Sequence, residues 1–175
     1  MTRKIPRIEA ESGRMRATGV GAPAVLVAGV GNVFFRDDAF GVEVARCLSS
    51  EPLPGNVRVA DFGIRGVHLA YELLEPLGLL ILVDAMTRDG SPGTLYLLDP
   101  EQDSHPRAPC DPHALDPWAV FALVEQLGGR MPRTRVVGCE PQDLSEGMSL
   151  SEPVQDAIQP AISMIRRLIE SEVLQ

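Results

Sequence analysis

Asp38, Asp61, Asp84 and His113 are the side chains in this sequence whose types and placement suit a cation. Two carboxylates and an imidazole make a donor set for a divalent transition metal, with one position left for water or substrate. Asp84 follows the five apolar residues Leu79-Leu-Ile-Leu-Val83, so it is either aimed at a ligand or paired with a helix N-terminus. Asp38 reads equally well as a ligand or as a first-turn acid favoured by the helix dipole. His113 taken alone is a surface loop residue more often than a metal ligand.

The stretch Gly29-Val-Gly-Asn-Val-Phe-Phe-Arg-Asp-Asp-Ala-Phe-Gly41 follows an apolar run as a phosphate loop would, yet it ends in Asp37 and Asp38. A phosphate site offers N–H groups and positive potential; adjacent acids oppose it. The dinucleotide fingerprint G-x-G-x-x-G also fails, because Phe34 stands at its third glycine. Asp61, placed like an acid that holds an adenosine ribose, keeps a nucleotide-binding module or dinucleotide enzyme as the alternative. Other chemistries find less support. Cys110 and His113 lack the second pair of a structural zinc site, no serine occupies a G-x-S-x-G elbow, and Cys47 falls in a helical pattern as an inert thiol would. His68 sits early in a helical pattern and His105 lies among prolines in a loop.

These residues need a scaffold that gathers strand ends. Apolar runs alternate with helical patterns: strands near Val25–Val30, 57–60 and 79–83, with helices near 38–48 and 67–74. Continuous apolar runs read as strands buried on both faces, and their alternation with helices predicts a mostly parallel sheet with right-handed crossovers. In such a sheet, sites form beyond the carboxyl ends of the strands. The turn Ser91-Pro-Gly93 and strand 94–98 follow too closely for a crossover helix, so that strand is expected to pair antiparallel with the one before it. Residues 99–112 read as a functional surface loop. A helix over 118–127 follows, started by Asp116 and Pro117 and stopped by Gly128. Residues 135–139 form a further strand. A final helix capped by Ser151 aligns Val154, Ile158, Ile162, Ile165 and Ile169 on one face, with a kink expected at Pro160.

With 175 residues, 45% of them hydrophobic and 23% charged, the chain suits one domain over residues 23–175. Residues 1–22 are aperiodic and read as a disordered tail, with Met15 an alternative start. A net charge of -8 excludes a nucleic-acid partner, which needs a basic face. The apolar runs are too short to span a membrane. Three cysteines without a CxxC pattern fit a reducing cytoplasm.

The loop from Gly29 to Gly41, the acid ending Ile81-Leu-Val-Asp84, the turn Pro92-Gly-Thr94, a histidine before an amphipathic helix, and the later segments Val137-Gly-Cys-Glu-Pro141 and Leu150-Ser-Glu-Pro-Val154 together resemble the nickel-iron hydrogenase maturation endopeptidases. The resemblance implies an α/β fold: a three-layer αβα sandwich with a mostly parallel, roughly five-stranded twisted sheet, one strand antiparallel. It implies a metal-dependent, aspartic-type endopeptidase that removes the C-terminal extension of a hydrogenase large-subunit precursor after nickel insertion. By that resemblance Asp38, Asp84 and His113 are the metal ligands, Gly29, Gly31, Asn32 and Gly63 shape the site, and Asp61 is a candidate catalytic acid. The nickel is expected to come with the substrate's active site, and another divalent ion such as cadmium to substitute in vitro. The partner is the precursor. A non-catalytic maturation chaperone with the same site is a further reading. Two departures stand out: the second loop acid is aspartate where some members have glutamate, and Phe62-Gly-Ile64 replaces the Gly-Gly-Thr of many members.

Overall fold

A computed structural model describes residues 24–100 and 117–173. Five strands form one sheet in the order β2-β1-β3-β5-β4. They are β1 (Val25–Val30), β2 (Val57–Gly63), β3 (Leu79–Ala85), β4 (Leu95–Leu98) and β5 (Arg133–Cys139). The helices are α1 (Phe40–Ser49), α2 (Gly66–Glu72), α3 (Pro117–Gln126), α4 (Glu152–Asp156) and α5 (Ile158–Val173), with a 3-10 turn at Arg36–Ala39 just ahead of α1.

The period-2 geometry of a strand sends alternate side chains to opposite faces, and here both faces are covered. Val25, Val27, Leu79, Ile81, Val83 and Val137 pack with Phe40, Val44 and Leu48 of α1 and with the Ile158, Ile162, Ile165 and Ile169 face of α5. Leu26, Ala28, Leu80, Leu82 and Val136 pack with Leu69 of α2 and Val120 and Val124 of α3. That is why β1 and most of β3 read as unbroken apolar runs. The edge strands are half-exposed along most of their length, and β4 is short, which limits the unpaired edge offered to other chains.

The expected sandwich is present, with β1, β2, β3 and β5 parallel and β4 antiparallel. The antiparallel partner of β4 differs from the expectation: it is β5, with Leu95 opposite Cys139. β5, which arrives last and is buried over its second half, inserts between β3 and β4 and leaves half-exposed β4 at the edge. Ser151 does occupy the N-cap position of α4, but its hydroxyl makes no cap bond; it donates elsewhere, as described below. The helix break falls at Ala157, ahead of Pro160. Proline has no N–H to donate to the carbonyl four residues back and its ring crowds that carbonyl, so the disruption precedes the proline itself. The expected tail at 1–22 and most of the loop over 99–112, with the Asp116 cap, lie outside the described residues. No helix among the described residues is long and apolar enough to cross a membrane.

Candidate functional site

The Gly29–Gly41 loop is closed at its own ends. A Cβ on Gly29 would lie 2.1 Å from the carbonyl oxygen of Gly41, and one on Gly41 would lie 2.1 Å from Val83 O and 2.4 Å from Val30 O. Only hydrogen at these two positions lets α1 start directly on the carboxyl ends of β1 and β3. Within the loop, Gly31 takes φ +131° with its Cα against the Asp38 carbonyl. Asn32 accepts the Phe34 N–H at 3.0 Å through its side chain and donates its own N–H to Asp38 Oδ2 at 2.7 Å. The Asp38 carboxylate is therefore aimed before any ligand arrives. Half-burial pushes its pKa up, and the Asn32 N–H partly offsets this.

The neighbouring acid does different work. Asp37 is 0% exposed. Its Oδ2 accepts the N–H groups of Gln142 and Asp143, both at 2.8 Å, and the Ser151 hydroxyl at 2.8 Å; its Oδ1 accepts the Ser151 N–H at 2.6 Å. A compact carboxylate is the side chain that can satisfy four converging donors. Asp37 thus ties the loop after β1 to the segment after β5. Arg36, held at φ +44°, donates its N–H to Gly147 O at 3.0 Å and places its Nε 3.2 Å from Asp143. Sequence reasoning left Asp37 without a role. Two adjacent acids in an apolar loop were the available signal, since solvent cannot serve both.

Asp84 is half-buried on the last turn of pleat of β3, opposite Gly138 of β5, and the 3-10 turn carrying Asp38 packs against this strand. Asp38 and Asp84 consequently share one rim. Asp61 stands beyond β1, in register with Gly29; its Oδ2 lies 3.7 Å from Arg46 Nε and its backbone carbonyl accepts from Arg65. Gly63, at φ +50°, accepts the Gly31 N–H at 3.1 Å and closes the floor between the two loops. Among the described residues no three His, Cys, Asp or Glu side chains form a metal-binding cluster. His113, with His105 and Cys110, lies outside the described residues. His68 is exposed on α2. Cys139 is buried, which pushes its thiol pKa up to about 12 and makes it a poor nucleophile.

The rim also has a fixed wall. Glu140 accepts the Tyr96 hydroxyl at 2.6 Å and the Arg88 N–H at 2.8 Å, and so pins the turn that follows Asp84. The Tyr96 hydroxyl first, and the N–H groups of Arg88, Gly90 and Asp89 after the opposing effect of burial, hold the Glu140 carboxyl below its ordinary 4.5. A depressed folded pKa gives stability that is complete above pH 4.5 and lost as pH falls through the folded value. Wild type is therefore expected to be more stable than Glu140→Gln at neutral pH, with the gap closing below pH 4.5. Urea titrations over that range check this, and a gap independent of pH would contradict it.

A phosphate has little to hold here. The N–H of Gly31 goes to Gly63 O, that of Asn32 to Asp38, that of Phe34 to the Asn32 side chain, and those of Phe35, Arg36, Asp37 and Asp38 to the carbonyls of Asn32, Gly147, Asp143 and Phe35. The loop has the outline of a phosphate loop, but these seven donors are already engaged.

A family model described as hydrogenase maturation protease matches residues 42–168. The coenzyme F420 hydrogenase subunit delta of Methanothermobacter thermautotrophicus is 33% identical over 149 residues, 81% of this chain and 91% of the relative. The hydrogenase expression/formation protein HupD of Rhizobium leguminosarum is 30% identical over 156 residues, 86% of this chain and 76% of the relative. The hydrogenase maturating endopeptidase HybD from E. coli superposes with a TM-score of 0.72 at 27% identity, covering 85% of this chain and 93% of that one.

Proposed function

The chain belongs to the hydrogenase maturation protease family, and from that premise we propose that its rim recognises metal carried by a nickel-iron hydrogenase large-subunit precursor and cuts off the precursor's C-terminal extension. The observation that carries this reading is the pair Asp38 and Asp84 on one rim, the first pre-aimed by the Asn32 N–H. Hard oxygen donors fixed in advance suit a divalent ion. His113 is the proposed third donor.

When present with the substrate, nickel supplies Lewis-acid polarisation or water activation. The protein's own contribution is positional. Asn32 and Asp37 set the loop that holds Asp38, and β3 with the Glu140-pinned turn after it holds Asp84. Hydrolysis adds one water across the scissile amide, leaving a new carboxylate on the large subunit and a free amine on the released peptide. Asp61, whose Oδ2 lies 3.7 Å from Arg46 Nε, is proposed as an accessory acid or base. The free thiols of Cys47 and Cys139 suit a reducing cytoplasm.

The test is the intact mass of a cognate precursor, nickel-loaded or nickel-free, after incubation with wild type or Asp84→Ala. Loss of a C-terminal peptide only with nickel and only with wild type is the expected result. Cleavage of nickel-free precursor would remove the metal from the proposal, and no cleavage of a verified loaded precursor would favour a non-catalytic maturation chaperone.

A further inference from the structure

Two backbone-paired segments beside the carboxylates carry large apolar side chains that the core does not use. Phe34 is 61% exposed, Met148 75%, and Phe35 and Leu144 are also exposed. They belong to two segments far apart in sequence that lie side by side. Phe35 bridges Gly147 in parallel, the Gly147 N–H donates to Phe34 O at 2.9 Å, and the Arg36 N–H donates to Gly147 O at 3.0 Å. Phe35 and Asp38 share one turn, closed by the Asp38 N–H donating to the Phe35 carbonyl at 3.0 Å.

The construction is stiff. Asp37 locks the two segments together from below, and Arg36 reaches Asp143 and Ser145 across the junction. Exposed aromatic and methionine side chains on a preordered surface are characteristic of protein-binding anchors, which lose little conformational freedom on docking. An apolar cluster facing solvent without a partner has a standing hydration cost.

We propose that Phe34, Phe35, Leu144 and Met148 form the surface on which the folded body of the precursor docks, independently of its metal. This rests on the proposed function. Charge favours this occupant over a second copy of the chain. Beyond the Arg36–Asp143 ion pair, the exposed Glu146 and Glu152 carry the charge of these segments, and the chain has a net charge of -8, so two copies would meet with like charge. Such a dimer would also close off Asp38. The border instead calls for an apolar patch rimmed by basic residues. Docking on the platform sets the distance from the precursor's body to Asp38 and Asp84, so the platform selects the precursor while the carboxylates read the metal.

The experiment measures affinity for nickel-free precursor, which permits binding without turnover, and kcat/KM on nickel-loaded precursor. Wild type is compared with Phe34→Glu/Met148→Glu and with Leu127→Glu, which alters an exposed apolar residue at the end of α3 away from the rim. The double variant is expected to lose affinity by about tenfold or more, with kcat/KM falling by a similar factor and the melting temperature unchanged; Leu127→Glu should match wild type. Affinity equal to wild type in the double variant would overturn the docking surface while leaving the metal-gated cleavage intact. Absence of wild-type binding to nickel-free precursor would overturn metal-independent docking even if loaded precursor is cleaved. Wild-type dimers in sedimentation that the double variant abolishes would assign the platform to a second copy instead.

Discussion

Asp37→Ala is expected to destabilise the protein by about 3–5 kcal/mol, whereas Asp38→Asn leaves stability within about 1 kcal/mol of wild type and removes activity. The difference follows from where each carboxylate's partners come from. Removing the Asp37 side chain strands the N–H groups of Gln142, Asp143 and Ser151 and the Ser151 hydroxyl around a space that is 0% exposed. Buried donors without acceptors retain their full desolvation cost. For a domain of this size the loss corresponds to a drop in melting temperature on the order of 10 °C. Among the described residues Asp38 has one such partner, the Asn32 N–H, and an asparagine oxygen can still accept it. What asparagine lacks is the charge presented to the rim, so precursor cleavage should fall by about a hundredfold or more. Denaturation curves for both variants, with precursor mass as the activity readout, check the pair. Equal stabilities would remove Asp37 from its structural place, and an active Asp38→Asn enzyme would remove Asp38 from the site.

Much of this arrangement was legible before folding. Val25–Val30 and the apolar run ending at Val83 announced strands buried on both faces because helices on either side leave them no polar face. Asp84 was legible for the same reason: an acid at the end of such a run reaches the rim where that cover ends. The Ile158-to-Ile169 stripe likewise foretold its own burial. What remained hidden depended on contacts between distant segments. The partner of β4 could not be read from the short turn before it, since β5 comes later in sequence and takes the place between them. The Ser151 hydroxyl satisfies the local pattern of a cap yet serves a carboxylate 114 positions away. The exposed platform was equally hidden, because Phe34 and Phe35 look like core residues until Gly147 and Met148 are laid beside them.

Gly41→Ala is expected to damage activity more than stability, although it adds a single methyl and removes no functional group. The new Cβ would sit 2.1 Å from Val83 O and 2.4 Å from Val30 O, distances at which something must move. Those carbonyls belong to the paired central strands β1 and β3, which are held on both sides and yield least. The N-terminus of α1 is the part free to lift, at a cost of about 3 kcal/mol or somewhat more. Because the 3-10 turn runs directly into α1, lifting it carries Asp38 away from Asp84. A displacement of about 1 Å at a reacting centre can cost a hundredfold in rate, so the folded fraction itself should be nearly inactive. Gly55→Ala is the control, since a Cβ there meets nothing within 4 Å. Assays at a temperature where circular dichroism shows Gly41→Ala fully folded separate the two effects. Wild-type cleavage rates under that condition would show that α1 absorbs the methyl without moving the rim, and the close seating of α1 on β3 would then have no part in setting the distance between the two carboxylates.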